Sequence, residues 1–100
     1  MRRYRVFVTQ EALREIRSSP GSIRQMIRRA IDRLRNNPRP DASHRLSVDV
    51  PGVEVRRIRL DQWRILYQVN EEDSSVDVLA VRKRPPYDYE DMLKLLERLE

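Results

Sequence analysis

The spacing of apolar positions changes period several times along the chain, and each change marks an element. Over residues 3–8 (Arg-Tyr-Arg-Val-Phe-Val), Tyr4 and Val6 alternate with Arg5 and Phe7, which predicts a first strand with at least one buried face. Thr9 suits a helix N-cap, and Glu11 falls in the first turn beyond it. The helix started there is short: Ala12, Leu13 and Ile16 form its apolar side, and Ser18-Ser19-Pro20-Gly21 breaks it. The helical period then returns. Ile23, Met26, Ile27, Ala30, Ile31 and Leu34 make one continuous apolar stripe, with Arg24, Arg28, Arg29, Asp32, Arg33 and Arg35 in the other positions. Asn36-Asn37-Pro38 ends this second helix, and the loop over 38–43, with two prolines, is expected to be polar and exposed.

Arg45-Leu46 leads through Pro51-Gly52 into a strand at 53–60, where Ile58 and Leu60 alternate with Arg57 and Arg59, so the two arginines share a face. Asp61-Gln62 is a tight turn. Residues 63–69 (Trp-Arg-Ile-Leu-Tyr-Gln-Val) are rich in β-formers and predict the central strand. Residues 70–75 turn the chain back into a last strand at 76–81, which ends in Arg82-Lys83-Arg84-Pro85-Pro86. Asp88 suits the cap of a final helix with Met92, Leu93, Leu95, Leu96 and Leu99 as its apolar positions, and Glu90 and Asp91 complement its N-terminal dipole. The order is β-α-α-β-β-β-α. It predicts an α+β fold with a mainly antiparallel four-stranded sheet, two N-terminal helices and a C-terminal helix, the last three strands forming a meander. With no repeat or linker in view, residues 1–100 are expected to form one domain.

Composition narrows the function. The chain is 37% charged with a net charge of +5, so polyanions are its natural partners. There is no cysteine and one histidine, which excludes a disulfide scaffold, a thiol nucleophile, cysteine-bound zinc and a multi-histidine metal site. No cofactor is expected. The N-terminal Met1-Arg2-Arg3-Tyr4-Arg5 has no apolar signal core and no run approaches membrane-spanning length, so a cytoplasmic protein without membrane contact is expected.

The candidate chemistry lies in cations at strand positions: Arg57 and Arg59 on one strand, Arg64 on the next, and Arg82, Lys83 and Arg84 at the end of the last. If these strands are neighbours, the cations fall along one sheet surface. Arginine presents a planar fork of donors matched to phosphate oxygens. Tyr87 and Tyr89 stand just beyond, where a ring can stack on an unpaired base. The same arginines also suit a solvated sheet face that protects an edge, and the tyrosines also suit packing of the final helix. His44, the sole imidazole, reads as an ordinary loop histidine between Ser43 and Arg45 with no visible partner. Trp63 and Tyr67 read as sheet and core residues.

In order and spacing, the chain resembles the RelE/ParE superfamily of bacterial toxin–antitoxin toxins. The likeness is carried by Ala12-Leu13-Arg14-Glu15-Ile16, by the helix from Ile23 to Leu34 with Asn37-Pro38 after it, by Arg45-Leu46 and Pro51-Gly52, by Arg57-Ile58-Arg59, by Trp63-Arg64-Ile65-Leu66-Tyr67-Gln68-Val69 and by Val81-Arg82-Lys83-Arg84. The resemblance implies a RelE-like toxin that cuts mRNA in the ribosomal A site without a metal, the 2′-hydroxyl of the mRNA attacking the adjacent phosphate. It places catalytic roles at Arg57, Arg64 and Arg84 and at a tyrosine near the last helix, for which Tyr87 and Tyr89 both qualify and Tyr89 is preferred. It places RNA contacts at Arg45, Arg59, Arg82, Lys83 and Tyr87. A second family lysine corresponds to Val55 and is absent. That absence matters because a guanidinium is a poor general base. The arginines then bind phosphate and stabilise negative charge, and the proton acceptor lies elsewhere: a lysine such as Lys83 if its pKa is depressed, or one of the two tyrosines. The resemblance also implies a cognate antitoxin, expected to be acidic, with operator DNA met only through that complex. Two other functions stay open: a ParE-like inhibitor of DNA gyrase, and an inactive module that only binds its antitoxin.

Overall fold

A computed structural model describes residues 3–48 and 50–83 of the chain. Its elements are β1 (Arg5–Val8), α1 (Gln10–Ser18), α2 (Gly21–Arg33), β2 (Ser43–Leu46), β3 (Glu54–Leu60), β4 (Trp63–Asn70) and β5 (Ser75–Lys83). The helix expected from Asp88 lies outside the described residues, as do Arg84, Tyr87 and Tyr89.

The strands form one five-stranded mixed sheet in the order β1-β5-β4-β3-β2. This corrects the four-stranded expectation. The added strand, Ser43–Leu46, pairs antiparallel with β3 in a stretch read as loop from sequence. It is four residues long and mostly polar, too short for its alternation to stand out. β3, β4 and β5 form the expected antiparallel meander. β1 is the one parallel member, with Arg5 opposite Ser75 and Val8 opposite Val78.

Alternation along the strands produces two apolar clusters. The larger holds Ala12, Ile16, Ile27, Ile31 and Leu34 of the helical segment against Ile58, Ile65, Tyr67, Val69, Val76, Val78 and Val81 of the sheet. The smaller lies on the other face, where Val55, Leu66, Leu79 and Ala80 are covered by Leu46, Val48, Val50 and Val53. A register shift at Leu66/Tyr67 lets the adjacent Leu79 and Ala80 serve the same cluster, as a β-bulge allows. Burying each such aliphatic side chain stabilises the fold by about 1.5–3 kcal/mol.

The helices follow the sequence closely. Thr9 caps α1, its Oγ1 accepting the Ala12 N–H at 3.2 Å. On α2 the stripe narrows, and Met26 remains 42% exposed at its margin. α1 also closes the side of β5 beyond β1: the Thr9 N–H donates to the Val78 carbonyl and the Glu15 carboxylate accepts the Val81 N–H. An open strand edge is thereby given partners.

The loop expected to be polar and exposed is instead tied down at both ends. Pro38 and Ser43 are buried, and the buried Tyr67 hydroxyl donates to the Pro38 carbonyl at 2.7 Å. Arg39 binds Glu54 through two parallel hydrogen bonds of 2.8 and 2.9 Å and also meets Glu71 at 2.7 Å. Those partners come from elements far along the chain, so the loop's own composition does not report them. Among the described residues no helix is long and apolar enough to cross a membrane.

Candidate functional site

Register decides which cations share a surface. Val55 belongs to the smaller cluster, so Arg57 and Arg59, at two-residue steps along β3, face away from the helices. Arg59 stands directly opposite Arg64 of β4, and Arg64 directly opposite Arg82 of β5. Arg57, Arg59, Arg64 and Arg82 therefore line the end of one sheet face, beside the Val55–Leu79 cluster. Like charges this close repel, so the arrangement requires counter-groups or an anionic ligand.

Arg64 and Arg82 are held by neighbouring groups of the protein. Arg64 is only 6% exposed, and its Nη1 donates to the carbonyls of Asp61 at 2.8 Å and Trp63 at 2.9 Å. It thereby fixes the β3–β4 turn, in which Asp61 takes the left-handed conformation at φ 57°. Arg82 donates from Nε to Glu15 Oε2 at 2.7 Å. Arg57 is half-buried, and Arg59, which is exposed, presents the most accessible guanidinium group of the row.

Two expected contacts fall on the other side. Arg45 pairs with Arg56 and so lies on the helix-bearing face with Ser43. Lys83 pairs with Trp63, whose ring packs against the larger cluster, so it too points away from the arginine row. Sequence patterning could not assign these faces, because parity along one strand says nothing about register with the next. Val55 is fully buried, so the position of the missing lysine is part of the apolar packing here.

His44 departs from its expected place. His44 belongs to β2, not to a loop, and stands directly opposite Arg57. Leu46, two residues on, packs against the Val55 cluster, so His44 is on the arginine face. The step of two from an inward-facing leucine was the available signal, obscured by the shortness of the strand.

At the opposite end of the sheet a recess of about 380 Å³ is lined by Arg45, Glu54, Gln68, Asn70, Glu71 and Glu72 among others. Its carboxylates include Glu54 and Glu71, which serve the Arg39 clamp. The hydrogen bond from Arg39 holds the Glu54 carboxyl below its ordinary pKa of 4.5.

The fold is shared with toxins of known structure. RelE in the archaeal RelE–RelB complex from Pyrococcus horikoshii OT3 superposes with a TM-score of 0.74 at 23% identity, covering 87% of this chain and 100% of that one. The Mycobacterium tuberculosis toxin–antitoxin complex RelBE2 gives 0.69 at 24% identity, covering 82% and 99%. The isolated E. coli RelE toxin gives 0.66 at 22% identity, covering 97% and 99%. No curated protein matches the chain in sequence. A family model does, over residues 6–85, and it describes the ParE toxin of the type II toxin–antitoxin system parDE. With the RelE-type fold and a match that covers both helices, β2 to β5 and all of β1 but Arg5, the chain belongs to the RelE/ParE superfamily of type II toxin–antitoxin toxins.

Proposed function

We propose that the protein arrests translation by cutting mRNA on the ribosome, without a metal, through attack of the 2′-hydroxyl on the adjacent phosphate. The observation that carries this reading is the row of Arg57, Arg59 and Arg64 on one sheet face, set by pairing of β3 with β4. Guanidinium groups there suit a phosphodiester whose charge grows in the transition state. Arg57 and Arg59 engage the phosphate. Arg64, anchored to the turn carbonyls, holds the row in place and adds positive potential. Arg84 and Tyr89 are assigned catalytic roles from sequence alone, with Tyr87 the other tyrosine candidate.

The partner that silences this face is a cognate antitoxin, acidic where it meets the arginines. Complexes of RelE with RelB among the structural relatives support such a partner. Operator DNA is met only through that complex, and the protein acts in the cytoplasm.

Primer extension on translated mRNA after induction tests the activity. New 5′ ends within translated codons are expected, and intact transcripts under growth arrest would overturn it. A second reading, inhibition of DNA gyrase, is favoured by the family model and by Arg64 and Arg82 being engaged within the protein. A supercoiling assay with purified gyrase separates the two, with no inhibition expected at excess protein. If Arg64→Ala with Arg84→Ala leaves growth arrest intact, the sheet face is not the toxic site.

A further inference from the structure

We infer that His44 is the proton acceptor of the proposed cleavage, an inference that rests on that reading of the arginine face. Arginine cannot take a proton in this pH range. Lys83 is turned to the other side of the sheet by its pairing with Trp63, and the lysine position at Val55 is apolar and buried. Within the described face, one side chain belongs to the class most often used as a general base, and it is the imidazole of His44.

Its placement is set by backbone pairing. His44 and Arg57 are direct partners across β2 and β3. Directly opposed side chains on one face start about 5 Å apart at Cβ. That separation lets an imidazole and a guanidinium reach different atoms of one nucleotide: the ring meets the 2′-hydroxyl while the fork holds the non-bridging oxygens of the 3′-phosphate. His44 is exposed on the sheet's edge strand, so the ring is open to a ligand from the side. The charged groups of β3 on its face are Arg57 opposite and Arg59 beyond. Arg45, its neighbour on β2, points to the other face.

The step balances as follows. The 2′-hydroxyl gives its proton to the free ring nitrogen of His44, and the oxygen's electron pair forms a bond to phosphorus. The bond from phosphorus to the 5′-oxygen breaks, its electron pair stays on that oxygen, and the oxygen takes a proton from water. The imidazolium returns its proton to the hydroxide left behind. The products are a 2′,3′-cyclic phosphate and a 5′-hydroxyl end. Arg57 stabilises the added negative charge on the phosphorane.

The test is single-turnover cleavage of mRNA on programmed ribosomes by the wild type, His44→Gln and His44→Ala across pH 5.5 to 9, a window of about one unit or more on each side of the imidazole range. His44→Gln is expected to slow cleavage by about 10²- to 10⁴-fold. Ribosome binding and thermal midpoint are expected to stay near wild type, because the side chain is exposed. The rise in rate with pH through the imidazole range is expected to vanish in the variant, and free imidazole is expected to restore part of the activity of His44→Ala. A His44→Gln protein that cuts at the wild-type rate with the wild-type pH profile overturns the assignment while leaving RNA cleavage standing. A wild type that leaves ribosome-bound mRNA intact overturns both.

Discussion

Glu15 on α1 binds Arg82 on β5 through a 2.7 Å contact from Oε2 to Nε, while its other oxygen accepts the Val81 N–H at 3.1 Å. One carboxylate thus satisfies a backbone donor on the sheet edge and the neighbouring guanidinium. Glu15→Ala removes both contacts and is expected to cost about 1–3 kcal/mol of stability. Glu15→Gln keeps an acceptor and is expected to cost less. Urea unfolding of the three proteins measures the difference, and equal midpoints would show that the edge contact contributes nothing.

Arg64 faces two ways in its function. It stands in the cationic row, yet its Nη1 contacts hold the Asp61–Trp63 turn. Arg64→Ala is therefore expected to destabilise the fold by about 1.5–3 kcal/mol, the range for hydrogen bonds from a charged group. Arg59→Ala, at an exposed position directly opposite, is expected to change stability by less than about 0.5 kcal/mol. Both are expected to weaken RNA cleavage. Thermal melts run beside the cleavage assay separate the two causes; an unshifted melt for Arg64→Ala would refute the structural half of its role.

Glu54 and Asp77 respond to pH with opposite sign. The hydrogen bond from Arg39 lowers the Glu54 pKa from 4.5, so its stabilisation is full above that value and is lost as pH falls through the lowered one. Arg39→Ala is expected to move acid unfolding to higher pH. Burial, with a smaller push from Asp73, raises the Asp77 carboxyl from 3.8. Its contribution is full below 3.8 and is lost as pH rises through the raised value. Asp77→Asn is accordingly expected to raise the thermal midpoint at pH 7 by a few degrees at most, with the gain shrinking toward acid. A constant gain at all pH values would exclude the carboxyl as its cause.

Val55 is fully buried in one cluster with Leu66 and Leu79. Val55→Lys is expected to destabilise by about 3 kcal/mol or more, because an ammonium would be drawn into apolar surroundings. Denaturant unfolding decides this, and an undiminished midpoint would mean that the cover made by Leu46, Val48, Val50 and Val53 opens readily.

The sequence made the helices legible because their signals are local. Thr9 caps as expected, and Ile27, Ile31 and Leu34 bury as their spacing requires. The shared face of Arg57 and Arg59 was equally legible, since period two is a property of one strand. What stayed hidden depends on pairing between distant segments. The strand Ser43–Leu46 exists through β3, and its omission misplaced His44. Arg45 and Lys83, both expected to contact RNA, fall on the other face, a placement hidden because composition does not encode register. The loop at Pro38 looked exposed because its anchors, Tyr67, Glu54 and Glu71, come from later in the chain.

The parallel pairing of β1 with β5 sets a timetable for synthesis. Arg5 finds its partner only at Ser75 and Val8 only at Val78, so β1 leaves the ribosome well before the strand it pairs with. Between them, local helices and the β3–β4 hairpin can form early, but the sheet closes late. A nascent chain truncated before residue 75 therefore lacks the strand that joins the two halves of the sheet. Closure of the sheet and completion of the row that carries Arg82 are the same late event.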